Sequence, residues 1–362
     1  AVERFLDGDE ISFPDGPSWD KVVPEELEEA LSGVRRDIST NGVIDDHLLN
    51  NLPQEAKGLL QCCIQESVDT GEIPQWWRAG EICPLPKCGK DLLCPTSRRP
   101  VCLTDPRAKT AEKVVAYKLC WLLDVDPHQY GSTKKRSGDH VVAAVAAKLK
   151  YYMDQEIPVV AVWVDFTGAF DRVPISIPIG RLIQKAEQCS SPTEALKLVR
   201  RISNFTKNRR NRVRIEGEVS SYRDMTLGVP QGTITGPWLW REFIHTLLQR
   251  LRDEGVSTRA DSINNKQFEA AIDFYAYVDD ICFFVPIHDL RVAKEQLQRG
   301  VDIISQWSKE NNQQLSATKT NFTVFYPENG KRNIEYRQSL EKEVEIRVGK
   351  QAISHEANPR FL

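Results

Sequence analysis

No stretch of this sequence approaches the roughly eighteen uninterrupted apolar residues that a membrane-spanning helix needs. The opening AVERFLDGDE lacks a basic segment followed by an apolar core, which is not the pattern of a secretory signal. Paired cysteine motifs are missing as well. The nine cysteines are odd in number and scattered, and without a signal they read as reduced thiols rather than a disulfide framework. Cys83, Cys88, Cys94 and Cys102 come nearest to a cluster, but no CxxC spacing and no following histidine pair supports zinc. Internal repeats and low-complexity tracts do not occur. Excess charge is small, a formal −3, and this excludes little, because an acidic chain can still carry a local basic groove. What is present is 362 residues, 41% of them hydrophobic, ample for a packed core with two or three sub-domains. A soluble, intracellular protein is the expectation.

The N-terminal part reads as helices. PEELEEALSGVRRDI has Pro near its start, acids in its first turn and bases in its last, which suits the helix dipole. PQEAKGLLQCCIQESVDTG runs from Pro53 and closes at Gly71. Proline-rich QWWRAGEICPLPKCGK predicts a short strand or loop, and KTAEKVVAYKLCWLLDV and DHVVAAVAAKLKYYMDQ show helical spacing of apolar faces. The character changes at Pro158. VVAVWVDF is a continuous β-branched run ending in Asp165, the mark of a strand buried on both faces. A helix is predicted for SPTEALKLVRRISNFTKN, and short strands for RVRIEGEVSSYRDMTLG with a turn at Glu216 and Gly217. A glycine-rich loop feeds a helix in GVPQGTITGPWLWREFIHTLLQRL. A hairpin (FYAYVDDICFFV), a helix (LRVAKEQLQRGVDIISQWSKEN) and a strand (TNFTVFY) follow, before a charged tail from Pro327. This order implies an α+β fold, a sheet with helices packed on one side.

The hairpin sets Asp279 and Asp280 between apolar runs. A simple turn is one reading, yet the favoured two-residue turns carry Gly or Asn, and adjacent carboxylates repel unless a cation neutralises them. Asp165 ends a buried strand, where a carboxylate caps the next turn or ligates a metal. If the two strands are neighbours, three carboxylates converge, the equipment of a two-metal site. In GVPQGTITGP, Gly228, Gly232 and Gly236 either let backbone approach a flat ligand or simply punctuate a connector. RRISNFTKNRRNRVR, with Arg209, Arg210 and Arg212, is either a solvated face or a contact for a phosphate backbone, and its place beside the proposed metal site favours the latter. Lys87, Arg98 and Arg99 flank a proline-rich turn and are ordinary surface bases or partners of a triphosphate.

Taken in order, LPK (85–87), RRPVCLTD with its following K-T-x-E-K, VDFTGAFDRV, GVPQGTITGP, YVDD and SATKTNFTVF resemble the successive motifs of a reverse transcriptase. The resemblance is nearest to the non-LTR (LINE-type) retrotransposons, including the ingi-like branch, and covers roughly residues 40–326. It implies a right-hand polymerase with fingers and palm, RNA-templated DNA synthesis, and dependence on two Mg²⁺ ions, with Mn²⁺ as a substitute. An RNA template, a DNA primer and dNTPs are the implied partners, and the nucleus the implied location. Residues 1–70 would form a helical extension, 71–157 the fingers, 158–326 the palm with part of the fingers inserted, and 327–362 a charged tail or the start of a truncated thumb.

By position, Asp165, Asp279 and Asp280 match the metal-binding aspartates, and Phe166 would lend a backbone carbonyl to the metal or the nucleotide. Phe170 matches the steric gate against a ribose 2′-hydroxyl. Gln231 and Gly232 match the loop that positions the template base and nucleotide, Lys87 and Arg99 the basic fingers residues near the triphosphate, and Lys319 the general acid near pyrophosphate. Arg209, Arg210, Arg212, Tyr277 and Val278 are expected to face nucleic acid. Two departures stand out: Val278 replaces the usual Ala of LINE-type enzymes, and the chain after 326 is short for a thumb. A catalytically silent or domesticated nucleic-acid-binding remnant is the alternative.

Overall fold

A computed structural model describes residues 18–32, 46–254, 273–327 and 334–358, apart from 88, 90, 92, 95–96, 124–125 and 134. Three helices come first, α1 (Pro24–Ser32), α2 (Asp46–Asn50) and α3 (Gln54–Thr70). The third ends because Gly71 takes a φ of 72°, a conformation glycine reaches without steric cost. The bases expected at the end of α1, Arg35 and Arg36, lie outside the described residues. β1 (Ala79–Pro86) and β2 (Arg98–Thr104) precede α4 (Pro106–Leu119), whose first turn is capped by the Asp105 side chain accepting from Arg107 N. Then come α5 (Gly138–Asp154), β3 (Val159–Val164), α6 (Ser176–Gln188), α7 (Pro192–Thr206), β4 (Arg209–Ile215), β5 (Glu218–Val219), β6 (Arg223–Met225) and α8 (Gly236–Asp253). Glu216 and Gly217, with φ of 50° and 90°, form the expected turn between β4 and β5. β7 (Asp273–Tyr277), β8 (Asp280–Pro286), α9 (Leu290–Glu310), β9 (Asn321–Phe325), α10 (Ile334–Glu343), β10 (Arg347–Val348), β11 (Gln351–Ala352) and β12 (Ser354–His355) complete the order.

The chain divides into two compact units, both mixed α and β. The first comprises residues 1–124 and 170–242. Its sheet has the order β2-β1-β4-β5, with β6 also on β4. The proline-rich segment that reads as strand or loop is a strand, because its prolines sit where no ladder donor is needed. β4 pairs with β1 only over Ala79–Ile82, so Pro84 and Pro86 lie beyond it, Pro84 facing Pro100. Leu27, Leu31, Ile64, Trp77, Val114 and Phe205 build a core between the helices, and the buried Lys118 and Glu26 join α4 to α1 through a 2.7 Å ion pair.

The second unit comprises residues 125–169 and 243–362. Its sheet runs β12-β9-β3-β8-β7, with β3 central and all six of its residues buried. Val141 and Val145 of α5 pack with Val159, Ala161, Trp163, Cys282 and Phe284. Gly300 of α9 lies against the ring of Phe283 instead, and Phe283 points to the opposite face from its neighbours. Helices therefore cover both faces of this sheet, not one as the element order suggested. The all-apolar β3 requires it, since either face left open would expose a row of valines.

Among the described residues there are two five-stranded sheets and a two-stranded ribbon of β10 and β11, where a single sheet was expected, and the chain passes between units at 124/125, 169/170 and 242/243. The tail after 327 is partly built into the second unit, where Ser354 and His355 pair in parallel with Asn321 and Phe322 at the sheet edge.

Candidate active site

β3 and β8 are antiparallel, with Val164 facing Ile281 as the last pair. One further step in that register sets Asp165 across from Asp280, the first residue of β8. Tyr277 faces Asp280 in the hairpin, so Val278 and Asp279 are its two-residue turn. Three carboxylates thus gather at one end of the second unit's sheet, as adjacency of the strands requires. Asp280 registers the crowding. Burial, then the charges of Asp279 and Asp165, push its carboxyl up to about 6. Lys319 offers a countercharge, its Nζ 3.2 Å from Asp165 Oδ1. The segment around it wraps the end of β3: Ser316 N donates to Asp165 O at 2.9 Å, and Asp165 N donates to Oγ1 of the fully buried Thr320 at 3.3 Å.

Carboxylate oxygens whose like charges raise one another's proton affinity suit a hard divalent cation, which removes the repulsion and supplies the missing bonds. Among the described residues no three such ligands close on one point as they stand, and Asp165 turns to Lys319 instead. Phe166 keeps its ring in the core, edge-on to Trp307 at 6.2 Å, and bridges to Leu315.

The hairpin turn contains neither Gly nor Asn, yet Val278 adopts a φ of 56°. A β-branched residue in that region is an outlier. The buried Gln129 brackets it, accepting from Val278 N at 3.0 Å and donating to Val278 O at 3.2 Å. Gln129 was not legible as a site residue: HQYG carries no chemistry-bearing pattern, and only the tertiary fold brings it to the turn. Tyr277 is partly buried against the α5 side of the core.

The other expected site residues belong to the first unit. Phe170 opens a single 3-10 turn and stacks on the fully buried Trp240 of α8, centroids 5.2 Å apart and planes 20° from parallel. Val229 N donates to Phe170 O at 2.8 Å, and Cys102 N to Gln231 O at 2.7 Å. The glycine loop is thereby stitched to the Phe170 turn on one side and to β2 on the other. A Cβ at Gly228 would stand 2.6 Å from Asp171 O, and one at Gly232 2.8 Å from Cys102 O. Those two glycines are demanded by protein backbone, so a bound flat ligand is not needed to explain them. Lys87 and Arg99 both lie on the β1–β2 hairpin, Lys87 N donating to Ser97 O at 2.9 Å and Arg99 sitting opposite Leu85, exposed.

The basic run needs correction at one position. Successive residues of β4 point to opposite faces, and Arg209 falls on the buried one, 1% exposed, with its guanidinium 4.6 Å over the Phe205 ring. Arg209 is a core residue and is withdrawn from the nucleic-acid-facing set. Arg210 is half exposed and pairs with Asp224 at 3.2 Å, while Arg212 and Arg214 both pair with the buried Glu81.

The family model described as reverse transcriptase (RNA-dependent DNA polymerase) matches residues 85–348. The chain is 25% identical over 281 residues to the RNA-directed DNA polymerase from mobile element jockey of Drosophila melanogaster, covering 76% of this chain and 29% of that protein. It is 23% identical over 305 residues to the jockey polymerase of Drosophila funebris, with 83% and 31% covered. The retrovirus-related Pol polyprotein from type-1 retrotransposable element R1 of Bradysia coprophila is 24% identical over 299 residues, with 79% and 26% covered. The chain spans less than a third of the length of these relatives.

Proposed function

Because the chain belongs to the reverse transcriptase family, among the polymerases of non-LTR retrotransposons, we propose that it extends a primer 3′-hydroxyl with deoxynucleotides on an RNA template. The single observation that carries this reading is the gathering of Asp165, Asp279 and Asp280 at one end of the β3–β8–β7 sheet, with Asp280 pushed up by burial and then by the charges of the other two. Such a set is costly to fold and is explained by cations it is built to hold. The three aspartates and the Phe166 carbonyl would hold two Mg²⁺ ions. Bound there, the ions would acidify the attacking hydroxyl and neutralise the triphosphate. The second unit then corresponds to a palm, and the β1–β2 hairpin of the first to fingers.

The roles of the remaining residues are those that the resemblance to the family implies by position. Phe170, backed by Trp240, would form a flat wall against a ribose 2′-hydroxyl. Lys87 and Arg99 would neutralise triphosphate oxygens. Gln231 and Gly232 would position the template base and nucleotide. Lys319 would deliver a proton to the departing pyrophosphate. Arg210, Arg212, Tyr277 and Val278 would meet template or primer. Positioning and charge neutralisation supply most of the rate in such a transfer.

The test is primer extension on poly(rA)/oligo(dT) with Mg²⁺ or Mn²⁺, native protein against Asp279→Ala. Extension by the native chain alone supports the reading. Failure of both while template–primer binding persists leaves a nucleic-acid-binding remnant.

A further inference from the structure

Val278 is the one β-branched residue with a left-handed φ among the described residues, and it joins the strand ending in Tyr277 to Asp279 and Asp280. A valine in this conformation relaxes unless its surroundings forbid it. Here the surroundings are specific. The Gln129 carboxamide acts as a peptide group would, its Oε1 accepting from Val278 N and its Nε2 donating to Val278 O. The same Oε1 also accepts from Gly131 N at 2.8 Å. A Cβ at Gly131 would fall 2.3 Å from Val278 N and 2.5 Å from its Cγ2, so only glycine lets the loop approach this closely.

The loop bearing Gln129 is itself fixed. Ala276 N donates to His128 O and Tyr130 N to Ala276 O, both at 2.8 Å, a parallel bridge of Gln129 with Ala276 that fastens the loop to β7. Arg136 Nη1 donates to the carbonyls of Asp126, Pro127 and Gln129 at 2.7, 3.1 and 3.0 Å. Thr133 Oγ1 donates to Gln129 O at 3.3 Å. A buried side chain held at its backbone and paired at both ends of its amide has one use visible in the structure, which is to hold the peptide of Val278.

We infer that Gln129, with Gly131 beside it, is a positioning residue that clamps the strained Val278 turn and so sets Asp279 and Asp280 for divalent-cation binding. The inference uses the polymerase reading only for what the cations then do. The clamp itself stands on the geometry of the second unit.

The experiment titrates Mn²⁺, followed by its electron paramagnetic resonance, into four proteins: native, Gln129→Met, Val278→Gly and the double variant, each checked for folding by thermal melting. The Mg²⁺ needed for half-maximal primer extension is read in parallel. Gln129→Met is expected to weaken Mn²⁺ binding about tenfold, the usual effect of losing a group that orients a ligand. Glycine holds a positive φ unaided, so the double variant should bind within about threefold of Val278→Gly alone. Should Gln129→Met prove too unstable to purify, that second comparison still reads the coupling. The clamp is overturned if Gln129→Met binds Mn²⁺ as the native protein does, or if removing Gln129 costs as much with glycine at 278 as with valine. A native protein that shows the Mn²⁺ pattern but extends no primer would overturn the polymerase reading and leave the clamp standing.

Discussion

Lys319 and Asp165 meet as an ion pair, Nζ 3.2 Å from Oδ1, in a setting where both side chains are substantially exposed, 61% and 37%. Such a pair contributes little to stability. Its consequence is competition, because a cation entering beside Asp279 and Asp280 must share Asp165 with the ammonium or displace it. Lys319→Gln should therefore tighten Mn²⁺ binding severalfold while lowering the single-turnover extension rate by about a hundredfold through loss of the proton donor. Equal loss of rate and template–primer affinity would instead make Lys319 a nucleic-acid contact.

Asp280 predicts a pH dependence. Its carboxyl is raised to about 6 in the folded protein from an ordinary 3.8, so the folded state holds a proton that the unfolded chain releases. Stability without divalent ions should fall as pH rises from about 4 to 6 and stay low above it. Burial is the largest cause of the shift, followed by the charges of Asp279 and Asp165. Thermal melting across pH 4 to 8, with and without Mg²⁺, checks this: Asp280→Asn should flatten the profile, and Mg²⁺ should raise stability most at the alkaline end.

Phe170 and Trp240 make a layered wall. Phe170→Ala should relax discrimination against ribonucleotides with little loss of stability, since its ring is only half buried. Trp240→Ala removes a fully buried ring and should cost about 3–5 kcal/mol in urea unfolding. Competition between dNTP and rNTP incorporation measures the first. Unchanged selectivity in Phe170→Ala would remove the gate role.

Arginines adjacent in sequence should behave differently. Arg209→Ala should destabilise the first unit by about 2–3 kcal/mol through loss of a buried side chain packed on Phe205, with the salt dependence of RNA binding unaltered. Arg210→Ala should leave stability near native, and if it meets phosphate it should reduce the slope of log K against log salt by about 1. Filter binding at several salt concentrations separates the two.

Much of the fold was legible. β3 announced itself as six consecutive buried residues, and α3 closed at Gly71 as its glycine indicated. Local signals sufficed there because burial on both faces and a left-handed cap are one-dimensional patterns. The carboxylates were legible as an anomaly, charges where apolar residues belong. The proline-rich β1 was ambiguous because proline is tolerated in a strand only where partners are absent, and partners are a tertiary fact. Arg209 lies in the core because the face of β4 that alternation gives it packs on Phe205 of α7, a neighbour that the local sequence pattern does not show.

By itself, the sequence determined the family and the candidate residues: three aspartates at strand ends and a turn, a phenylalanine five residues after the first, and motifs in the family's order. Tertiary structure alone decided how that chemistry is held. Pairing of β3 with β8 brings Asp165 to Asp280, whose carboxyl is raised by burial and then by the charges of Asp279 and Asp165, and a glutamine some 150 residues away in sequence holds a valine in a conformation its own side chain disfavours. Strain and charge crowding are properties of neighbours in space, and those neighbours are far apart along the chain.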